Sequence, residues 1–364
     1  MTHAASVDAS LVAVKSTYRA MQVSPSRALE LVERQTPQPG DGEVLIAVQA
    51  CGMCGADVSD IEGADLNLSL SRVPGHEVVG QIAAIGNHVS PQWTIGQRVG
   101  VGRLGGHCLE CAQCRAGLFQ LCRNQPFVGS SCDGGYAEMM LARATALVRI
   151  PDELHATEAA PILCAGIATF NALKKCGAQA GDLVAILGIG GLGHMAVQYA
   201  RRMGFNVVAI GRGTDIAVDA IELGAHIYID TDQDDAAARL QSMGGAVAMI
   251  TTVGSGALVS SMAPGLAPAG CMVVLAPGKD PLSLPMGLLV GGERSIVGSI
   301  TGSPFENEKA LSFSVLTQSL PMIETMPLEH ANIAYQKLKS GQVKFRMVLT
   351  VDQTNLAFLE YATL

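Results

Sequence analysis

The run Leu183-Val-Ala-Ile-Leu-Gly-Ile-Gly-Gly-Leu-Gly193 decides the fold. Its five leading apolar residues predict a buried strand, and apolar side chains at helical spacing over 192–203 predict a helix that stops near Gly204. Between them Gly188, Gly190 and Gly193 form a GxGxxG turn, with Gly191 and Leu192 completing it. In a glycine-rich chain this pattern alone says little. Between a strand and a helix the three glycines serve a tight turn, close approach to a pyrophosphate, and close helix–strand packing. The N–H groups opening the helix then face the phosphates.

Working outward, apolar strands follow over 206–210, 226–229, 246–251, 271–275 and 295–300. Six strands alternating with helices predict an α/β unit, a Rossmann-type doubly wound six-stranded parallel sheet. Upstream, segments such as 43–49, 77–85 and 146–150 read as short strands separated by glycine turns, so this half is β-rich. The expected organisation is a flexible extension over 1–17, a β-rich domain over 18–165, the nucleotide domain over 166–303, and a return to the first domain over 304–364. Helical spacing at 329–339 and a strand at 346–351 carry that return.

The chain has 364 residues, enough for two or three domains and a sizeable core. Hydrophobic residues make up 49% and charged residues 15%, which excludes a disordered chain. A net charge of −8 argues against nucleic-acid or anionic-membrane partners. Apolar stretches such as 256–278 are broken by Gly and Pro, and residues 1–18 lack the apolar core of a secretory leader. Ten cysteines in such a chain read as thiols or metal ligands rather than disulfides. A cytoplasmic, metal-using enzyme is expected.

An NAD enzyme carries Asp or Glu at the end of the second strand to hold the ribose hydroxyls. Here that strand ends in Gly211-Arg212-Gly213-Thr214, with a cation in place of the acid. Arg212 matches a 2′-phosphate, so NADP(H) is expected over NAD(H).

Cys108-x2-Cys111-x2-Cys114-x7-Cys122 can close a tetrahedral zinc site on one loop, with no position left for a substrate. It reads as a structural zinc within a lobe at 105–123. A second set is dispersed: Cys54, His76 beside Glu77, and Cys164. No local spacing connects these residues.

The order of motifs connects them. Cys51-Gly-Met-Cys54, Gly75-His-Glu77, the four-cysteine lobe, Gly134-Gly-Tyr-Ala-Glu138, Pro161-x-x-Cys-Ala-Gly166, GxGxxG and Val343-Lys-Phe-Arg346 occur in this sequence. Together they resemble the zinc-dependent medium-chain dehydrogenases/reductases, the alcohol dehydrogenase superfamily, and within it the cinnamyl-alcohol-dehydrogenase-like branch. The resemblance runs from about residue 19 to residue 352. It implies a GroES-like catalytic domain ahead of the Rossmann domain. It implies a catalytic zinc on Cys54, His76 and Cys164, with Glu77 as a transient ligand and Asp57 behind the imidazole. Arg346 falls in a motif whose family role is at the cofactor.

The implied activity is hydride transfer between NADP(H) and a small alcohol or carbonyl compound, in a homodimer or homotetramer paired along the 295–300 strand. Substrate-lining side chains are expected within 60–70 and 255–284. One departure stands out. The family's relay hydroxyl, two residues after the first zinc cysteine, is replaced by Ala56. A methyl group cannot pass a proton, so a reductase of conjugated C=C or iminium bonds is the alternative expectation. A non-catalytic zinc- and nucleotide-binding sensor is the rival from another class. Tyr136 and Trp93 read as packing residues.

Overall fold

In the computed structural model, which describes residues 15–63 and 71–352, Leu183–Leu187 lies inside a six-stranded parallel sheet. The order across it is Ile227–Asp230, Asn206–Gly211, Leu183–Leu187, Ala246–Thr251, Leu266–Val274, Ser295–Gly298. Chain order reverses between Leu183–Leu187 and Ala246–Thr251, the switch point at which such sheets bind nucleotides. The near-continuous apolar runs reflect cover on both faces: Ala185, Val208, Ile210 and Met249 are fully buried. The helix Gly193–Arg202 follows, with Leu192 and Met203 as its caps and Gly204 at φ 86 turning the chain away.

Leu266–Val274 begins earlier than the expected 271, because Pro268 and Gly270 read as a turn. The strand instead runs through them with a register shift between Ala246 and Ala248, and Ala269 adopts φ 58.

The chain divides into two units, Met1–Leu163 with Ile323–Leu364, and Cys164–Met322. The sequence pattern starts the return at 304; the contacts start it at Ile323. The helix Pro304–Thr317 belongs with the nucleotide unit because Phe313 packs on Phe170 and Tyr199, with ring centroids 5.4 and 5.5 Å apart.

In the other unit the strand Glu43–Met53 pairs with Glu77–Ile85, Met139–Arg143 and Arg346–Thr350. Ile323–Pro327 extends the sheet beyond Arg346–Thr350 on one side, and Arg98–Val101 and Val148–Arg149 extend it on the other. Thr17–Val23 and Leu29–Gln35 form a separate hairpin, so the expected extension gives way to a strand at Thr17.

Among the described residues one helical stretch, Ala156–Lys175, is long and apolar enough to cross a membrane, but most of its apolar window is buried, as in a core helix. Pro161 lies inside it and cannot donate to the helical ladder; the next turn, Ile162–Gly166, opens into a π-helix. That turn carries Cys164.

Candidate active site and metal centres

The glycine turn follows the strand directly. Gly188 has φ 89, and a Cβ on Gly193 would lie 1.8 Å from the Gly188 carbonyl oxygen, so residue 193 tolerates no side chain. A Cβ on Gly190 would meet nothing within 4 Å, leaving that backbone open to approach. Gly191 and Leu192 are half-buried. Thr252 Oγ1 donates to the carbonyl oxygens of Leu187 and Gly188, at 3.0 and 2.9 Å, and fixes the turn to the next strand of the sheet.

Where an acid would hold a ribose, a Cβ on Gly211 would lie 2.7 Å from the Tyr228 hydroxyl. Tyr228 donates to the Gly213 carbonyl (2.7 Å), and Asp230 accepts from the Gly213 amide (2.7 Å). The neighbouring strand thus clamps the turn, fills the place a larger side chain would need, and leaves Arg212 exposed. Neither Tyr228 nor Asp230 carries a sequence signal.

Cys54 caps the helix Gly55–Glu62 at the end of the strand Glu43–Met53, and His76 precedes the strand Glu77–Ile85. The pairing of those two strands, Gly52 opposite Glu77, brings Cys54 and His76 together. Ligand atoms of Cys54, His76, Glu77 and Cys164 all lie within 4.8 Å of one another, and all four residues are buried. Cys164 directly follows Leu163 on the helical stretch Ala156–Lys175.

His76 Nδ1 lies 2.9 Å from Asp57 Oδ1; a carboxylate only accepts, so Nδ1 carries a proton and Nε2 is the ring nitrogen left to face a cation. That Nε2 is buried and has no hydrogen-bond partner among the described residues; the same holds for Glu77 Oε2. Two thiols, one imidazole with an orphaned nitrogen and a carboxylate oxygen are donors of the kind a catalytic zinc takes, and these residues would fit one.

Electrostatics agree. Burial works against a charged His76, but the Asp57 carboxylate outweighs it and lifts the ring to about 10 while no cation occupies Nε2. A bound cation takes the place of that proton. Burial raises Glu77 to about 7, and the Arg346 guanidinium, paired with its Oε1, holds it from rising further. Arg346 is 2% exposed. The sequence motif puts Arg346 at the cofactor; in the structure one of its terminal guanidinium nitrogens pairs with Glu77 Oε1.

Asp57, Asp60 and His76 form a further cluster. There Arg103 already supplies the cation, pairing with Asp60 and reaching to 3.5 Å from His76 Nδ1.

In the lobe, Cys111 and Cys114 Sγ are 3.5 Å apart, and Cys108–Cys114 and Cys111–Cys122 are each 4.0 Å. A tetrahedron with Zn–S bonds of ~2.3 Å has edges of about 3.8 Å, so the four sulfurs already have zinc-site dimensions. Backbone amides of Cys111, Cys108 and Asn124 donate to Cys108 or Cys122 sulfur at 3.3–3.4 Å. The Cys111 amide lowers the Cys108 thiol to about 6, whereas burial and the neighbouring thiols push Cys114 to about 12. Without a cation the four cannot ionise together; with one they can. His107 stacks on Phe119, 4.4 Å between centroids, outside this set.

A cavity of about 450 Å³ in the same unit is lined by Tyr18, Arg34, Asp133, Met140 and Arg143 among others, none of them a ligand named above. Chemistry, not concavity, locates the site. Of the expected substrate-lining stretches, residues 64–70 lie outside the described residues.

A phosphate-ready glycine turn and a buried thiol–imidazole cluster, carried by one chain, define a zinc- and nicotinamide-dependent oxidoreductase. Residues 40–152 match the alcohol dehydrogenase GroES-like domain, and residues 191–315 match the zinc-binding dehydrogenase family. The chain is 41% identical to alcohol dehydrogenase notN of Aspergillus sp. (strain MF297-2), over 86% of this chain and 92% of that one. A cinnamyl alcohol dehydrogenase structure from Sorghum bicolor superposes with a TM-score of 0.84 at 28% identity, covering 94% of this chain and 99% of that one. An acetophenone reductase structure from Geotrichum candidum, in complex with NAD, gives 0.81 at 28% identity, covering 93% and 98%. The chain belongs to the zinc-binding alcohol dehydrogenase family, GroES-like and Rossmann units included. It is an oxidoreductase of small alcohols and their carbonyl partners that uses zinc and a nicotinamide cofactor.

Proposed function

We propose that each chain carries two zinc ions, a catalytic one on Cys54, His76 and Cys164 with Glu77 beside it, and a structural one on Cys108, Cys111, Cys114 and Cys122. The observation that carries this reading is the buried His76 Nε2, left without a partner among two thiols and a carboxylate. Zinc there supplies a Lewis acid for the substrate oxygen. The chain does the rest. Asp57 holds His76 in the Nε2-free tautomer, Arg346 balances Glu77, and the turn at Gly188–Gly193 with the helix behind it orients the cofactor pyrophosphate.

The cofactor is NADP(H) and the favoured reaction is carbonyl reduction. Arg212, exposed beside Gly211, where the Tyr228 hydroxyl crowds any added side chain, supports the NADP(H) reading. Arg212→Ala is expected to raise the KM for NADPH about tenfold or more and leave that for NADH within twofold. Equal losses for both cofactors would sink the assignment.

A second reading, reduction of a conjugated C=C or iminium bond, draws on Ala56. It sits half-buried in the first turn of the Gly55–Glu62 helix, and the nearest hydroxyl downstream, on Ser59, is exposed. Zinc-replete enzyme with NADPH and cinnamaldehyde separates the two by product mass. Cinnamyl alcohol is expected, and the saturated aldehyde would replace the first reading with the second. Ala56→Ser is expected to raise aldehyde turnover more than twofold; a smaller change would show that proton delivery at residue 56 does not limit the rate.

The enzyme works in the cytoplasm, where its thiols stay reduced, as a homodimer or homotetramer. The strand Ser295–Gly298, last in its sheet, and the exposed Met286 and Val290 (81% and 78%) support self-association.

A further inference from the structure

We propose that Tyr136 is a positioning residue of the catalytic metal centre, acting through Asp57 on His76; the inference rests on the zinc reading of that cluster. Tyr136 is fully buried, and its hydroxyl donates to Asp57 Oδ2 at 2.9 Å. The same oxygen accepts from the Cys54 amide at 2.8 Å. The other carboxylate oxygen, Oδ1, is left for His76 Nδ1 at 2.9 Å.

Asp57 is therefore gripped on one oxygen from two directions, by the backbone of one zinc cysteine and by a phenol 79 residues away in sequence. A carboxylate held by the Cys54 amide alone could swing about its χ2 torsion. The phenol removes that freedom, and the imidazole it supports keeps Nε2 aimed at the ligand cluster. Arg103, a cation close to the pair, is committed to Asp60 and lies 3.5 Å from the imidazole nitrogen. The ring of Tyr136 fills core space, as any aromatic would; the hydroxyl is the part that reaches the metal site.

Tyr136→Phe deletes that oxygen and keeps the ring. Loss of a supporting partner behind a metal ligand costs roughly 10–100-fold in metal affinity. Chelator competition on the holoenzyme is expected to show zinc at the Cys54/His76/Cys164 site bound about 10-fold or more weakly, with the lobe zinc unchanged. Cobalt substituted at the same site should show a shifted d–d spectrum. A double-mutant cycle distinguishes a path through Asp57 from general loosening: in an Asp57→Asn background, Tyr136→Phe should weaken zinc binding by less than about twofold further.

Should Tyr136→Phe not accumulate as folded protein, Tyr136→Met in the same two backgrounds carries the test, with retention of the lobe zinc as the gauge of folding. Zinc affinity unchanged in the single variant, or equal losses in both backgrounds, overturns the role of Tyr136. If the unmutated enzyme binds no zinc outside the lobe, the zinc reading itself fails, a result separate from either.

Discussion

Replacing Cys164 with Ala is expected to remove one zinc ion of the proposed two per chain and to lower turnover by about 10³-fold or more, with nucleotide affinity held within twofold. Lewis-acid stabilisation worth several kcal/mol corresponds to that factor at ~1.4 kcal/mol per tenfold. Without the thiolate the set keeps one thiol, Cys54, beside His76 and Glu77, and one Glu77 oxygen is paired with Arg346. The change deletes one sulfur from a buried position, and Ala suits a helix, so the fold should persist. Metal analysis, steady-state kinetics and nucleotide binding on one preparation check all three parts. A variant that keeps both ions and a tenth of the wild-type rate would remove Cys164 from the ligand set.

Cys111→Ser should act in the opposite sense, on stability more than on chemistry. Its sulfur lies 3.5 Å from Cys114 and 4.0 Å from Cys122, so its loss opens the lobe's ligand set. Structural zinc contributes about 10–16 kcal/mol in isolated zinc-binding peptides, well above the ~2–5 kcal/mol of a large core truncation. Even a third of that, at roughly 2–4 °C per kcal/mol for a domain of this size, lowers the melting temperature by on the order of 10 °C. Zinc content should fall by one ion, and limited proteolysis should cut first within 104–127. Enzyme still folded at low temperature should retain most of its turnover. An unchanged melting temperature would mean that the lobe's hydrogen bonds, rather than a metal, hold it.

The nucleotide unit is legible in the sequence because its signals are local. Parallel strands covered on both faces leave unbroken apolar runs, and the Gly188–Gly193 turn must follow one of them directly. The strand Leu266–Val274 looks shorter in sequence than it is because Pro268 and Gly270 resemble a turn, and only pairing with Ala246–Thr251 shows that the strand crosses them. The helix Pro304–Thr317 falls to the wrong unit by sequence because chain order does not reveal where Phe313 packs.

The same division separates the two thiol clusters. The lobe announces itself through ligand spacing along a single loop. Cys54, His76 and Cys164 need a resemblance to connect them, because strand pairing and a π-helical turn, both long-range outcomes, bring them together. Tyr136 is visible only as an aromatic, since nothing in a sequence distinguishes a packing ring from one whose hydroxyl reaches a buried carboxylate. Tyr228 is hidden for a related reason: the absence of an acid at Gly211 can be read, but not the neighbour that excludes one.

The strand Arg346–Thr350 lies between Glu43–Met53 and Ile323–Pro327, and it delivers the partner of Glu77. A ribosome makes it about 300 residues after the strand it joins, at roughly 5–20 residues per second. The contiguous Cys164–Met322 unit can close during that interval. At that rate the first unit waits about 15 seconds or longer for Arg346, the partner of Glu77. On the proposed two-zinc reading, strand order writes a timetable for metal loading: the lobe's ligands are complete early, and the second centre gains its last supporting residue only when the final strand arrives.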